Sequence, residues 1–162
     1  MWNISAITII SAAFLSAAPV LTPEQVYFFA IPEEIQVACE KYGAEYDICP
    51  EELEAFCYEE SRYIANVSNG NCKGLMQVNE KVHKKRMEKL GITDIYDVDS
   101  NIHLAADLLA ELYADYSSDT GTVIMLYHGE SNAIKRGKQG NYSNYAKRVM
   151  QDKENLLTEH GK

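Results

Sequence analysis

The chain has 162 residues, 46% of them apolar and 24% charged, which suits one globular domain with a core of its own. Its formal charge of −9 argues against nucleic-acid binding, because phosphate contacts need clustered Lys and Arg. The densest basic run, residues 81–89, is broken by Glu88 and has helical spacing, so it reads as a solvated helix face.

In chain order, residues 4–21 come first (ISAITIISAAFLSAAPVL), uncharged and mostly apolar. They read as an export signal or a short membrane anchor. The length lies between the two, since a crossing wants about 20 apolar residues and this run is diluted with Ser and Thr. No Lys or Arg precedes the apolar core, which departs from the usual signal. Ser16-Ala17-Ala18 and Ala30 offer small residues for a peptidase. Residues 1–30 are therefore expected to be a leader or anchor. Residues 31–162 would form the domain, working extracellularly or at the cell envelope.

From Pro32 onward the pattern is helical with short connectors. Pro32 opens a helix with Ile35, Ala38, Cys39 and Tyr42 on its apolar stripe, and Gly43 is expected to stop it. A second helix starts at Pro50, with Glu51 and Glu52 suiting its first turn, and is expected to reach about Ile64. A turn-rich loop covers 66–73. Further helices are expected at 80–90, after the caps Asp97, Asp99 and Ser100, at 120–128, and from Ser143 to about Leu157. No strand pattern of useful length appears, so the fold class is mainly α.

Four cysteines, Cys39, Cys49, Cys57 and Cys72, contain no CxxC pair, which argues against a zinc site. Three disulfide connectivities are open, and some bridging is expected of an exported protein. Cys39 and Cys57 lie on apolar helix faces and could meet; Cys49 and Cys72 flank the second helix and could clamp it.

That second helix carries the most informative residue. Its apolar positions are Leu53, Phe56, Cys57 and Ile64, and the place where one more apolar side chain belongs is Glu60. Glu59 points about 100° away, toward solvent on this reading. A carboxyl held among apolar groups resists ionising, and its pKa rises toward neutrality. It can then donate a proton to a glycosidic oxygen at working pH.

Glu60-Ser61-Arg62-Tyr63 is followed by Ser68, Gly74-Leu75-Met76-Gln77, Asn101-Ile102, Tyr127-His128-Gly129 and Tyr145. This order and spacing over about residues 33–155 resembles the lytic transglycosylase (SLT) and goose-type lysozyme superfamily. It is most similar to short cysteine-containing members of clostridial type. The resemblance implies a lysozyme-like all-helical domain that cleaves peptidoglycan, with Glu60 as catalytic acid/base and no metal or cofactor. It implies that Ser61 supports the end of the catalytic helix, Ser68 contacts sugar, and Met76 and Gln77 form the cleft floor. Asn101, counted among the substrate-binding residues, would begin the long helix that buttresses the site, Tyr127 would bring its hydroxyl near Glu60, and Tyr145 would close a wall. Two positions depart from the family pattern. His128 stands where Asn is usual, and an imidazole can both donate a hydrogen bond and charge in mild acid. Leu126 stands where a small residue is usual.

Two-carboxylate glycosidases need a second acid about 5–9.5 Å from the first. None sits on a matching motif, so a substrate-assisted route through a 1,6-anhydro sugar is expected. The alternatives are a hydrolytic lysozyme of the same fold and a secreted module that binds glycan without cutting it. The partner expected is the peptidoglycan strand, bound by a monomer, with membrane attachment through residues 4–21 as an option.

Overall fold

The computed structural model describes residues 30–116 and 119–162, so the leader or anchor expected at residues 1–30 lies outside the described residues except for Ala30. Among the described residues no helix is long and apolar enough to cross a membrane. The elements are α1 (Glu33–Tyr46), α2 (Pro50–Ser61), β1 (Ser68–Asn69), β2 (Cys72–Lys73), β3 (Val78–Asn79), α3 (Lys84–Leu90), α4 (Val98–Tyr116), α5 (Thr120–Tyr127), α6 (Ala133–Gly137) and α7 (Asn144–Glu159). The mainly α class is as expected. The strands form a small antiparallel sheet in the order β1-β2-β3, with Asn69 opposite Cys72 and Cys72 opposite Asn79.

Gly43 does not end α1. The helix runs on to Tyr46 and turns at Asp47, which takes a left-handed φ of 56°. Glycine is needed at 43 for a different reason, close approach. A Cβ there would stand 2.7 Å from the Ile48 carbonyl oxygen and 3.0 Å from Pro50 Cγ. The start of α2 therefore folds back directly onto α1.

α2 ends earlier than its apolar spacing suggests. Arg62 and Tyr63 turn left-handed, with φ of 55° and 63°. The turn carries Ile64 off the stripe and leaves it 57% exposed. Upstream, the whole run Glu51–Cys57 is buried, because α2 packs against α1 on one side and α7 on the other. Two of its three buried acids are met by partners, and Glu54 keeps one oxygen unpartnered. Glu51 accepts from Lys162 Nζ (2.6 Å) and lies 2.9 Å from His160 Nδ1. Glu52 accepts from Lys153 Nζ (2.9 Å) and from the Tyr113 hydroxyl.

α4 starts as its caps predict, with Asp97 Oδ1 accepting from the Ser100 N–H at 2.9 Å. It buries Ile102, Leu104, Ala105, Ala106 and Leu109 against α1 and α5. Ser143 caps α7 by accepting from the Ala146 N–H at 3.0 Å. The core joins these stripes to Leu53 and Phe56 of α2, Ile124 and Met125 of α5, and Leu156 of α7, all fully buried. Each such side chain contributes roughly 1.5–3 kcal/mol through burial.

The expected disulfides are absent, and all four cysteines are free thiols. Cys39 and Cys57 do meet across α1 and α2, as hydrogen-bonding neighbours in the core. Cys49 and Cys72 do not. Cys49 sits at the start of α2, donating to Glu51 Oε2 at 3.0 Å, whereas Cys72 lines a cleft with Glu60 at the helix's far end. A helix of 12 residues, about 18 Å long, lies between them. A disulfide needs Cα atoms within about 7 Å.

Candidate active site

The last turn of α2 delivers Glu60 into a cleft of about 340 Å³. The β2–β3 segment walls it with Cys72, Gln77, Val78 and Asn79, and the end of α5 does so with Tyr127 and His128. Leu108 of α4, His83 just before α3, Asn69 and Gly129 complete the lining. Among the described residues that line this cleft, Glu60 is the only carboxylate.

Glu60 is partly buried where it enters the cleft. Burial pushes its carboxyl pKa above the ordinary range, opposed by a Tyr145 hydrogen bond and the positive charge of His128, while Glu59 adds to the rise. The helix itself acts in the same direction as burial. Glu60 lies at the negative end of the α2 dipole, which disfavours a carboxylate. The Tyr145 hydroxyl donates to Glu60 Oε1. Burial pushes the Tyr145 phenol well up, so it stays protonated as a donor. Tyr145 is thus the direct partner of the carboxyl, and it does not itself line the cleft.

Glu59 is not turned to solvent as the helical wheel suggests. Its side chain is 3% exposed and is ion-paired to Arg62 (3.0 Å) and Arg148 (2.6 Å). α7 covers the face that an isolated α2 would leave open. Both oxygens are engaged by cations, which sets Glu59 apart from Glu60 chemically.

The other nominated residues fall into two groups. Tyr127, His128 and Gln77 line the cleft with Glu60. The Tyr127 ring packs on Phe56, one turn before Glu60, at a centroid distance of 4.9 Å. Its hydroxyl donates to the Met76 carbonyl at 2.7 Å, not to Glu60. His128 stacks on Tyr145, rings 4.0 Å apart and nearly parallel at 13°. Gln77 takes a left-handed φ of 47° and directs its amide nitrogen to the Gly74 (2.8 Å) and Val67 (3.2 Å) carbonyls.

Ser61, Ser68, Met76 and Asn101 stand outside the lining. Ser61 is buried and donates back to the Cys57 carbonyl at 3.0 Å, steadying the end of α2. Ser68 is exposed on β1 and accepts from Lys73 Nζ at 2.7 Å. Met76 is a fully buried core side chain. Asn101 is fully buried as well, and its amide is spent on backbone groups. Its Oδ1 accepts from the Met76 N–H (2.8 Å), and its Nδ2 donates to the Ile95 (2.7 Å) and Lys73 (3.1 Å) carbonyls. Gly74 makes room for that amide: at φ +77° its added Cβ would stand 2.1 Å from Asn101 Nδ2. Asn101 and Gly74 together fix the loop that presents Gln77.

Five cleft residues escaped the sequence reading, the polar His83, Asn79 and Asn69 and the apolar Val78 and Leu108. His83 lay within a basic stretch that reads as a solvated helix. α3 begins only at Lys84, which leaves His83 to line the cleft. The Asn-rich turn around Asn69 was legible only as a turn.

The fold matches that of an inactive mutant of the lytic transglycosylase Slt from Pseudomonas aeruginosa, in which a glutamate is replaced by glutamine. The TM-score is 0.54 at 15% identity, over 75% of this chain and 22% of that one. This chain thus spans under a quarter of the length of that enzyme. No curated protein matches the sequence. The model of the Transglycosylase SLT domain family matches residues 38–150, which contain every residue of the cleft described above, and the chain belongs to that family.

Proposed function

We infer that this protein is a peptidoglycan lytic transglycosylase that cuts the β-1,4 bond between N-acetylmuramic acid and N-acetylglucosamine, with Glu60 as its single acid/base. The observation that carries this reading is the Glu60 carboxyl itself. It is shielded at the end of α2, raised in pKa by burial, hydrogen-bonded by Tyr145, and unaccompanied by a second acid in the cleft.

The chemistry then needs one carboxyl twice. Protonated Glu60 gives its proton to the glycosidic oxygen as the bond from that oxygen to the muramoyl C1 breaks. The muramoyl 2-acetamido oxygen stabilises the positive centre at C1. Glu60, now a carboxylate, takes the proton of the sugar's own 6-hydroxyl, whose oxygen bonds to C1. The products are a 1,6-anhydromuramoyl end and a free 4-hydroxyl on N-acetylglucosamine, with no water consumed. Such an enzyme acts in the cell envelope, where its substrate is.

The test is mass spectrometry of products from purified peptidoglycan. Anhydro-muropeptides are expected from the wild type, with Glu60→Gln slower by roughly 10³-fold. Reducing muramic ends would instead make it a hydrolase. Glycan binding without products from either form would make it a non-catalytic module.

A further inference from the structure

The polar side chains of the cleft divide into those the protein already uses and those it leaves free. Tyr145 donates to Glu60, and Tyr127 donates to the Met76 carbonyl. Both protons of the Gln77 amide nitrogen go to backbone carbonyls. Asn79 spends its Oδ1 on the Val82 N–H at 3.2 Å. The residues that the motif nominates for sugar contact are therefore mostly committed inside the protein.

His83 is not. Its ring makes no hydrogen bond, ion pair or ring contact among the described residues, and although it occupies the N-cap position of α3 its side chain caps nothing. The ring is half-buried in the wall of the cavity that holds Glu60. Neither ring nitrogen is among the buried atoms left without a partner, so both are open to whatever enters the cleft. Burial lowers its pKa, Arg86 lowers it further and Glu111 opposes them, a balance that favours the neutral ring. Arg86 itself is held by Asp107 and by Glu111 at 2.5 Å. A neutral imidazole has one N–H to donate and one bare nitrogen to accept with. A sugar hydroxyl has the same pair of capacities.

We propose that His83 is a glycan-binding residue of this cleft, hydrogen-bonding a hydroxyl of the saccharide beside Glu60 through the ring that the protein leaves uncommitted. The proposal rests on the reading of the cleft as a peptidoglycan site. Because no internal hydrogen bond, ion pair or ring contact among the described residues depends on the ring, its loss is expected to remove binding without removing structure.

The test uses the Glu60→Gln protein, which leaves the ligand uncut, and calorimetric titration with solubilised, uncross-linked peptidoglycan strands. Adding His83→Ala is expected to weaken binding about five- to tenfold with the melting temperature unchanged, and His83→Gln, which again offers a donor and an acceptor, to recover part of the loss. With Glu60 intact, His83→Ala is expected to raise KM and leave kcat nearly as it was. Equal affinity with and without the ring would overturn the proposal. So would a loss that comes with a lower melting temperature and is not repaired by His83→Gln. Undiminished product release by Glu60→Gln is seen in a separate measurement and would overturn the reading beneath it.

Discussion

Asn101 separates a structural from a substrate-binding role, and its removal has a calculable cost. Asn101→Ala deletes three hydrogen bonds, to the Met76 N–H, the Ile95 carbonyl and the Lys73 carbonyl. Met76 is fully buried, so its N–H loses its partner in a place without solvent. An orphaned buried group costs about 1–3 kcal/mol, and the half-buried Lys73 end can be met by water, so about 3–4 kcal/mol is expected overall. In a domain of this size each kcal/mol moves the melting temperature by roughly 3–5 °C, which puts the drop at about 10–20 °C. Asn101→Asp sharpens the test. It keeps an acceptor for the Met76 N–H but sets a second acceptor against two carbonyls, so it should be at least as harmful as Ala. Differential scanning calorimetry reads both. A drop below about 4 °C in Asn101→Ala, with weakened glycan binding, would refute the structural assignment and restore Asn101 to the substrate site.

Two further outcomes follow from the buried acids. Tyr145→Phe removes a donor that favours ionised Glu60, so the alkaline limb of the kcat/KM profile should move to higher pH; a limb that stays or moves down would show that Tyr145 does not act on the acid. Burial pushes the Glu54 carboxyl up to about 7 from an ordinary 4.5, and its Oε2 has no partner. Folding therefore favours protonated Glu54: its stabilising effect is complete below about 4.5 and is lost as pH rises through about 7, a difference of about 3 kcal/mol. Glu54→Gln should accordingly gain stability at pH 8 and little at pH 4 in urea titrations, and equal effects at both would contradict the assignment.

Much of the fold was legible because the helices obey local rules: Pro32 and Pro50 at their starts, the Asp97 and Ser143 caps, and apolar stripes at helical spacing. What was not legible depends on packing between elements. Gly43 looks like a stop signal, but its missing Cβ makes room for Ile48 and Pro50. Glu59 looks solvent-facing until α7 and Arg148 arrive from 89 residues away. In the site, Glu60 stood out because it interrupts an apolar stripe. The roles of Asn101 and Met76 could not be separated from ligand contact by motif alone, since a residue that positions a loop and one that touches sugar leave the same letters. His83 carried no signal, because its place in the cleft depends on α3 starting one residue later.

The opposing influences on Glu60 bear on whether one carboxyl can serve as acid and then as base. Burial and Glu59 raise its proton affinity, while Tyr145 and His128 lower it. Burial alone would give a firm acid whose carboxylate formed reluctantly. The lowering contacts ease that second state, the one the proposed reaction needs when Glu60 takes a proton from the 6-hydroxyl. Their geometry also assigns the oxygens. Tyr145 occupies Oε1 as a donor, so the transferable proton belongs on Oε2. His128 stacks on Tyr145 rather than on Glu60, so it acts through the partner's ring and through its own charge when protonated. The His128 departure from the family pattern therefore falls on the group that tunes the acid, and a charged His128 shifts Glu60 toward its carboxylate.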